Sequence, residues 1–396
     1  MNRITRMTGI LPGMILLGLF FFLIGCKRKE PATEKLQDYS HMAVSPAPDW
    51  ARKGVLYEVF PRVFSEEGTF KGIETRLDYI EQLGVDVIWL MPIFPIGEKG
   101  RKGTMGSPYA VKDFRSVNPD YGTEEDFRDL VHAIHSRGMK IILGMVPNHG
   151  ANDNILTETH PEWFMRNEKG EFIRENEDWS DVIDFDYSNP GLREYMTETL
   201  IYWIEKFDID GYRCDVAGMV PNDFWKSALS RLREIKPDVY LLAEWEDPEI
   251  VLAGFDSDYG WSEYHILRSI REGKDRTSSI IRRIEEKENK YPHNALIMRF
   301  LENHDELRSM KRFGTIAIEA YATILFTLPG IPLIYAGQEI GETVKPPLFE
   351  KSVLNWTNRD EALLELYREL IHMRKEWPCF SEGTFMQLPT ASMSGS

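Results

Sequence analysis

Seven short apolar runs, separated by stretches of helical periodicity, constrain this chain more than any other feature: 54–60, 85–91, 140–146, 209–215, 239–244, 295–301 and 331–336. Most of their positions are apolar, without strict alternation. That is the pattern of strands buried on both faces, as in parallel sheets covered by helices. The segments between them supply the cover. Thr123-Glu124-Glu125-Asp126 opens a helix with a capping-box pattern, and Phe127, Leu130, Val131 and Ile134 follow at the spacing of one buried face. Leu363, Leu366, Tyr367, Leu370, Ile371 and Met373 repeat the pattern near the end. A weaker eighth strand is expected at 254–256. It brings the count to eight βα units and predicts an α/β fold, a (β/α)8 TIM barrel, over residues 50–378.

One connection breaks the alternation. Residues 150–186, after the third strand, are rich in Asn, Asp and Glu, carry Trp163, Phe164 and Trp179, and show no long period. An excursion of that length is usually functional, and here it forms a short inserted domain over the C-terminal mouth, where barrel sites are built. At the other end of the chain, Arg3 and Arg6 precede the apolar stretch 10–24. This reads as a secretory signal. The stretch is short for a membrane span of ~20 residues and contains Pro12. Leu23-Ile24-Gly25-Cys26 resembles a bacterial lipobox, which implies a signal peptide over 1–26, a lipid on Cys26 and a membrane-anchored lipoprotein of the cell envelope. Residues 27–49, polar with Pro, Ala and Ser, are expected to be a flexible linker.

Charge and cysteine content remove other classes. With 47 basic against 63 acidic residues the formal charge is −16, so no basic stripe for nucleic acid is expected. Three cysteines are too few for a disulfide scaffold and wrongly spaced for zinc.

The chemistry lies in carboxylates at strand ends. Arg213 and Asp215, two apart in Gly211-Tyr212-Arg213-Cys214-Asp215, turn to one side of a strand together with Ile209 and Gly211, and that side should be the barrel interior. Glu244 ends Tyr240-Leu241-Leu242-Ala243-Glu244, and Asp305 follows Asn303-His304 past the seventh strand. Converging at one mouth, such groups suit glycoside hydrolysis, in which one carboxylate attacks and another donates and then accepts a proton. Arg213 favours a charged Asp215, and Glu244 beside Trp245 is expected to keep its proton longer.

Met145-Val146-Pro147-Asn148-His149, Gly211-Tyr212-Arg213-Cys214-Asp215, Ala243-Glu244 and Glu302-Asn303-His304-Asp305 resemble, in order, the four sequence regions of the α-amylase superfamily, glycoside hydrolase family 13. The resemblance spans residues 55–377. It implies that Asp215 is the nucleophile, Glu244 the general acid/base and Asp305 the carboxylate that holds the distorted sugar. Arg213, His149 and His304 would bond that sugar, and Tyr109 in Ser107-Pro108-Tyr109 would be the aromatic platform beneath it. The implied substrate is an α-1,4-glucan such as starch or maltodextrin. No cofactor is required, with calcium as a possible metal through Asn148.

Departures from the family pattern carry expectations of their own. Gly144 stands where the family has an aspartate beside the arginine, which predicts a displaced Arg213 and reduced activity. Gly218-Met219 replaces a Lys-His pair that binds the leaving side of long glucans, so maltodextrin, cyclodextrin or pullulan hydrolysis fits as well as endo-amylase action. The family's C-terminal β domain is expected to be essentially missing, with 379–396 a remnant whose first strand runs 383–388, leaving the outer face of the last helix partly apolar. Cys214 should face the helical layer and form no disulfide with Cys379. Two other readings are a surface glucan-binding protein with impaired catalysis and an α-glucan transglycosylase. A barrel enzyme for phosphorylated sugars lacks a glycine-rich phosphate loop.

Overall fold

The structure is a computed structural model describing residues 37–386. The signal segment and Cys26 lie outside the described residues. Eight parallel strands close a barrel: β1 (Leu56–Val59), β2 (Val87–Leu90), β3 (Lys140–Met145), β6 (Gly211–Cys214), β7 (Tyr240–Ala243), β8 (Ser257–Tyr259), β9 (Leu296–Arg299) and β10 (Ile331–Tyr335). Around the barrel they run β1, β10, β9, β8, β7, β6, β3, β2. After β3 the chain makes β4 (His149–Ala151) and β5 (Val182–Asp184), an antiparallel pair at the root of the inserted segment.

Both-face burial explains the unbroken apolar runs. Leu56, Val87, Trp89, Ile142, Tyr240, Leu242, Met298 and Leu333 fill the interior as one cluster. Their neighbours Tyr57, Ile88, Ile141, Leu143, Tyr212, Cys214 and Leu241 pack outward with the helices. Each fully buried Val, Leu or Ile contributes about 1.5 to 3 kcal/mol, so neither face tolerates a polar run. On the helix Glu124–His135, Thr123 and Asp126 close the capping box, and Phe127, Leu130, Val131 and Ile134 are buried. The last helix, Glu361–Glu376, buries Leu363, Tyr367, Leu370 and Ile371.

The eighth strand lies at Ser257–Tyr259, just past the expected 254–256. Its polar residues carry no apolar signal, and hydrogen bonds hold them in place. Ser257 Oγ lies 2.6 Å from Tyr240 Oη inside the barrel, and Asp258 accepts from Tyr291 Oη at 2.7 Å. Ile209 precedes β6 and packs in the outer cluster, not in the interior with Arg213.

Part of the expected linker is fixed to the body. Tyr39 N donates to Lys290 O at 2.8 Å, and Ala43 forms a parallel bridge with His293. Residues 383–386 form no strand, Cys379–Glu382 being a helical turn, and 387–396 lie outside the described residues. The outer face of the last helix is also not the apolar surface expected. Glu365, Glu369, His372, Lys375 and Glu376 occupy it, and Trp377 is the exposed large apolar side chain at its end. Cys214 is buried in the outer cluster and Cys379 is exposed, both as free thiols.

Candidate active site

The C-terminal ends of β6, β7 and β9 bring Asp215, Glu244 and Asp305 to one cavity of about 200 Å³, which Tyr109, His149 and His304 also line. Arg213 organises it from below. Fully buried on β6, its Nη1 donates to Asp215 Oδ1 at 2.7 Å, and its Nε donates to Tyr259 Oη at 3.0 Å. Its Nη2 lies 2.6 Å from Glu244 Oε1 as an ion pair whose angle falls outside hydrogen-bond geometry. The rings of Trp89, Tyr109 and Tyr259 stand 5.2 to 5.8 Å from the guanidinium, close enough for cation–π attraction.

One cation therefore serves two carboxylates, with Asp305 near by. Burial pushes Glu244 up to about 8; Arg213 opposes the rise, while Asp215 and Asp305 add to it. The sequence places an aromatic neighbour beside Glu244, but Trp245 is exposed, and enclosure with like charges does the work instead.

The other oxygen of Glu244 accepts from Val216 N at 2.8 Å. Val216 follows the Asp215 position with φ 37°, a left-handed conformation that a β-branched residue adopts only under constraint, and that turn helps aim its N–H at Glu244. Sequence reasoning passed over this residue.

Asp305 is set by a turn in which Asn303 Oδ1 accepts from the backbone N–H groups of Asp305 and Glu306 at 3.0 and 3.1 Å. His304 Nδ1 lies 2.5 Å from Glu58 Oε1 on β1, and its Nε2 lies 2.6 Å from Tyr109 Oη and 3.2 Å from Asp305 Oδ2. Burial works against a proton on this ring, but Asp305 and Glu58 outweigh it and raise His304 above the ordinary histidine value. Glu58 is a second residue the sequence did not single out. A buried carboxylate in a run read as apolar was the available signal. Tyr109 stacks on His304 at 5.4 Å between ring centroids. His149 sits 5.2 Å from the Trp179 ring, and burial holds it below the ordinary histidine value.

Two departures from the family pattern acquire physical reasons. Without the aspartate, Arg213 still has its three nitrogens facing Tyr259, Asp215 and Glu244. At Gly144 a Cβ would meet Pro92 Cδ at 2.9 Å and Leu90 O at 3.2 Å, so the space for a side chain is closed. Likewise a Cβ on Gly218 would lie 2.1 Å from Trp245 Cε2, so the indole covers the position from which the family's lysine would project.

Calcium finds no support in the donor set. Asn148 Nδ2 faces Asp184 Oδ1 at 3.5 Å and His149 Nδ1 at 3.3 Å, which ties the loop to β5. Among the described residues no three His, Cys, Asp or Glu side chains gather as ligands, whereas calcium takes about six to eight oxygens.

Fold and site define a class: a parallel barrel with two carboxylates clasped by one arginine at its C-terminal mouth. The family model for the alpha-amylase catalytic domain matches residues 58–179, 154–244 and 275–353, and the chain belongs to that family. The alpha-amylase MalA of Haloarcula japonica is 32% identical over 354 residues, covering 85% of this chain and 50% of that one, so the chain spans about half the length of that relative. The crystal structure of an alpha-amylase from Lactobacillus plantarum superposes with TM-score 0.81 at 37% identity, covering 85% of this chain and 83% of that one. That of a noncanonic maltogenic alpha-amylase, AmyB, from Thermotoga neapolitana gives 0.80 at 38% identity, covering 84% and 79%.

Proposed function

We propose that this protein is a retaining glycoside hydrolase acting on α-1,4-glucosidic bonds of starch-derived glucans and maltodextrins. The observation that carries the reading is the clasp of Asp215 and Glu244 on the two terminal nitrogens of Arg213. Carboxylates shared by one guanidinium are close together. Retaining enzymes place their two carboxyls about 5 to 5.5 Å apart because one attacks carbon directly, and a shared guanidinium supports such a pairing.

The asymmetry of the pair assigns the roles. Glu244, raised to about 8, carries a proton at neutral pH and gives it to the glycosidic oxygen as the C1–O bond breaks. Asp215 forms the bond to C1. Glu244, now a carboxylate, takes a proton from the water that displaces Asp215, and two inversions at C1 retain its configuration. Asp305 and His304 present an acceptor and a donor to the hydroxyls of the bound ring, and Tyr109 supplies a flat apolar face.

Release of reducing sugar from maltoheptaose by the soluble body is the test. Asp215→Asn is expected to lower it by at least about 10⁴-fold. Activity that survives that change contradicts the assignment.

A second proposal concerns location: export to the bacterial cell envelope, anchored in the membrane by lipid on Cys26. It rests on Leu23-Ile24-Gly25-Cys26 after an apolar stretch with Arg3 and Arg6 before it. Radiolabelled palmitate should enter the full chain and not Cys26→Ala, and equal labelling of both contradicts the anchor.

A further inference from the structure

The barrel's strand order says which way a bound glucan would run through the cavity. Glu244 stands at the end of β7, four places around the closed barrel from β1. A general acid lies on the side of the departing sugar, so the reducing-end portion of the substrate extends over β7 and β6. In a pyranose, C4 lies across the ring from C1. Further sugars toward the non-reducing end would therefore have to pass over β1, between the loops that follow β2 and β10.

That exit is closed by a built seam. Lys102, in the loop after β2, bonds Asp178 O at 2.7 Å and pairs with the buried Asp181 at 3.1 Å, joining its loop to the inserted segment. The same ammonium lies 5.7 Å from the ring centroid of Phe349, in the loop after β10. Below it the loops are joined by backbone, Met105 N donating to Phe349 O at 2.9 Å. Arg62, buried, bonds the carbonyls of Gly106 and Leu348 from β1's own loop at 3.0 and 3.2 Å. Lys102 and Phe349 line the same cavity as Asp215 and Glu244. At about 200 Å³ that cavity is small beside the 300 to 1,000 Å³ or so of pockets that enclose drug-sized ligands.

We infer that the site is a blind pocket for the non-reducing end of an α-glucan, so that the enzyme cuts from chain ends, releases a short glycone, and refuses substrates with no free non-reducing end. The inference rests on the hydrolase reading and adds the substrate class. Lys102 and Phe349 set that specificity, since they close the path an internal chain segment would need.

The experiment follows the loss of maltoheptaose and of maltoheptaose capped at its non-reducing 4- and 6-hydroxyls, by chromatography so that a cut anywhere counts. The capped substrate is expected to disappear at least about 100-fold more slowly, a difference that steric exclusion readily supplies. Rates within about threefold of each other overturn the blind pocket while leaving the hydrolase intact. If neither substrate is consumed by folded protein, the hydrolase reading fails and the inference falls with it. Lys102→Ala combined with Phe349→Ala should raise the capped-to-uncapped rate ratio by about tenfold or more, and an unchanged ratio in a folded variant also overturns the proposal. β-Cyclodextrin, which has no end, gives a third reading that needs no variant: resistance supports the wall, and turnover comparable to maltoheptaose contradicts it.

Discussion

Asp210 and Glu244 are two enclosed carboxylates at opposite ends of adjacent parts of the barrel, and they are treated in opposite ways. Asp210, just before β6 at the N-terminal end, is surrounded by hydrogen-bond and ion-pair partners. Lys140 Nζ donates to it at 2.8 Å, His135 Nε2 lies at 2.7 Å, Lys236 Nζ at 3.2 Å, and Ile141 N donates at 3.1 Å. Burial opposes the charge, but these partners win and pull Asp210 down to about 2. Glu244 shares its one guanidinium with Asp215, and burial takes it to about 8. The same residue chemistry gives a fixed anion where the barrel is held together and a proton reservoir where it works. That division matches the roles of the two ends of this fold.

The larger effect is expected at the mouth. Glu244→Gln should cut kcat/KM by about 10² to 10⁴-fold while keeping or raising the melting temperature, because at neutral pH an amide replaces a carboxyl that is already protonated. A large loss of stability would show that Glu244 is charged in the resting protein. The wild-type kcat/KM should decline as pH rises through about 8, where Glu244 gives up its proton. Because its folded value is raised, its contribution to stability is complete below the ordinary 4.5 and is lost as pH rises through about 8.

Asp210→Asn should do the reverse. Removing one member of a buried ion cluster costs about 3 to 5 kcal/mol of stability in a denaturant titration, while kcat of the folded fraction stays near wild type. Its folded value is depressed, so its contribution is complete above the ordinary 3.8 and is lost as pH falls through about 2. The variant should therefore show a weaker acid dependence of unfolding over that window. An unchanged acid limb contradicts the pairing.

The smallest effect concerns the surroundings of Arg213. Gly144→Asp, the substitution that restores the family pattern, is expected to destabilise the chain by about 1 to 3 kcal/mol through overpacking against Pro92 and to leave turnover no higher. A gain in turnover would mean that Arg213 lacks a partner after all.

Much of this was legible in the residues. Seven strands announced themselves because both faces of each are buried, and the capping box at Thr123 marked its helix start. β8 did not, because Ser257 and Asp258 make hydrogen bonds where the other strands carry apolar side chains. Asp215, Glu244 and Asp305 were readable from position at strand ends and from family motifs, and the structure brings all three to one cavity with Tyr109, His149 and His304. Glu58 and Val216 were not. Their parts depend on a contact to His304 across 246 positions and on a backbone angle, neither of which leaves a local pattern. The closed space at Gly144 was not legible for a related reason: a missing partner can be read from a sequence, but the packing of Pro92 against that position cannot.

Direct attack by Asp215 with Glu244 as proton donor fixes the anomer that forms first. Proton NMR of fresh maltoheptaose hydrolysis, recorded before mutarotation, should show the α-anomer of the new reducing end. A first-formed β-anomer would mean that water attacks in a single displacement and would contradict the arrangement of the two carboxylates on Arg213.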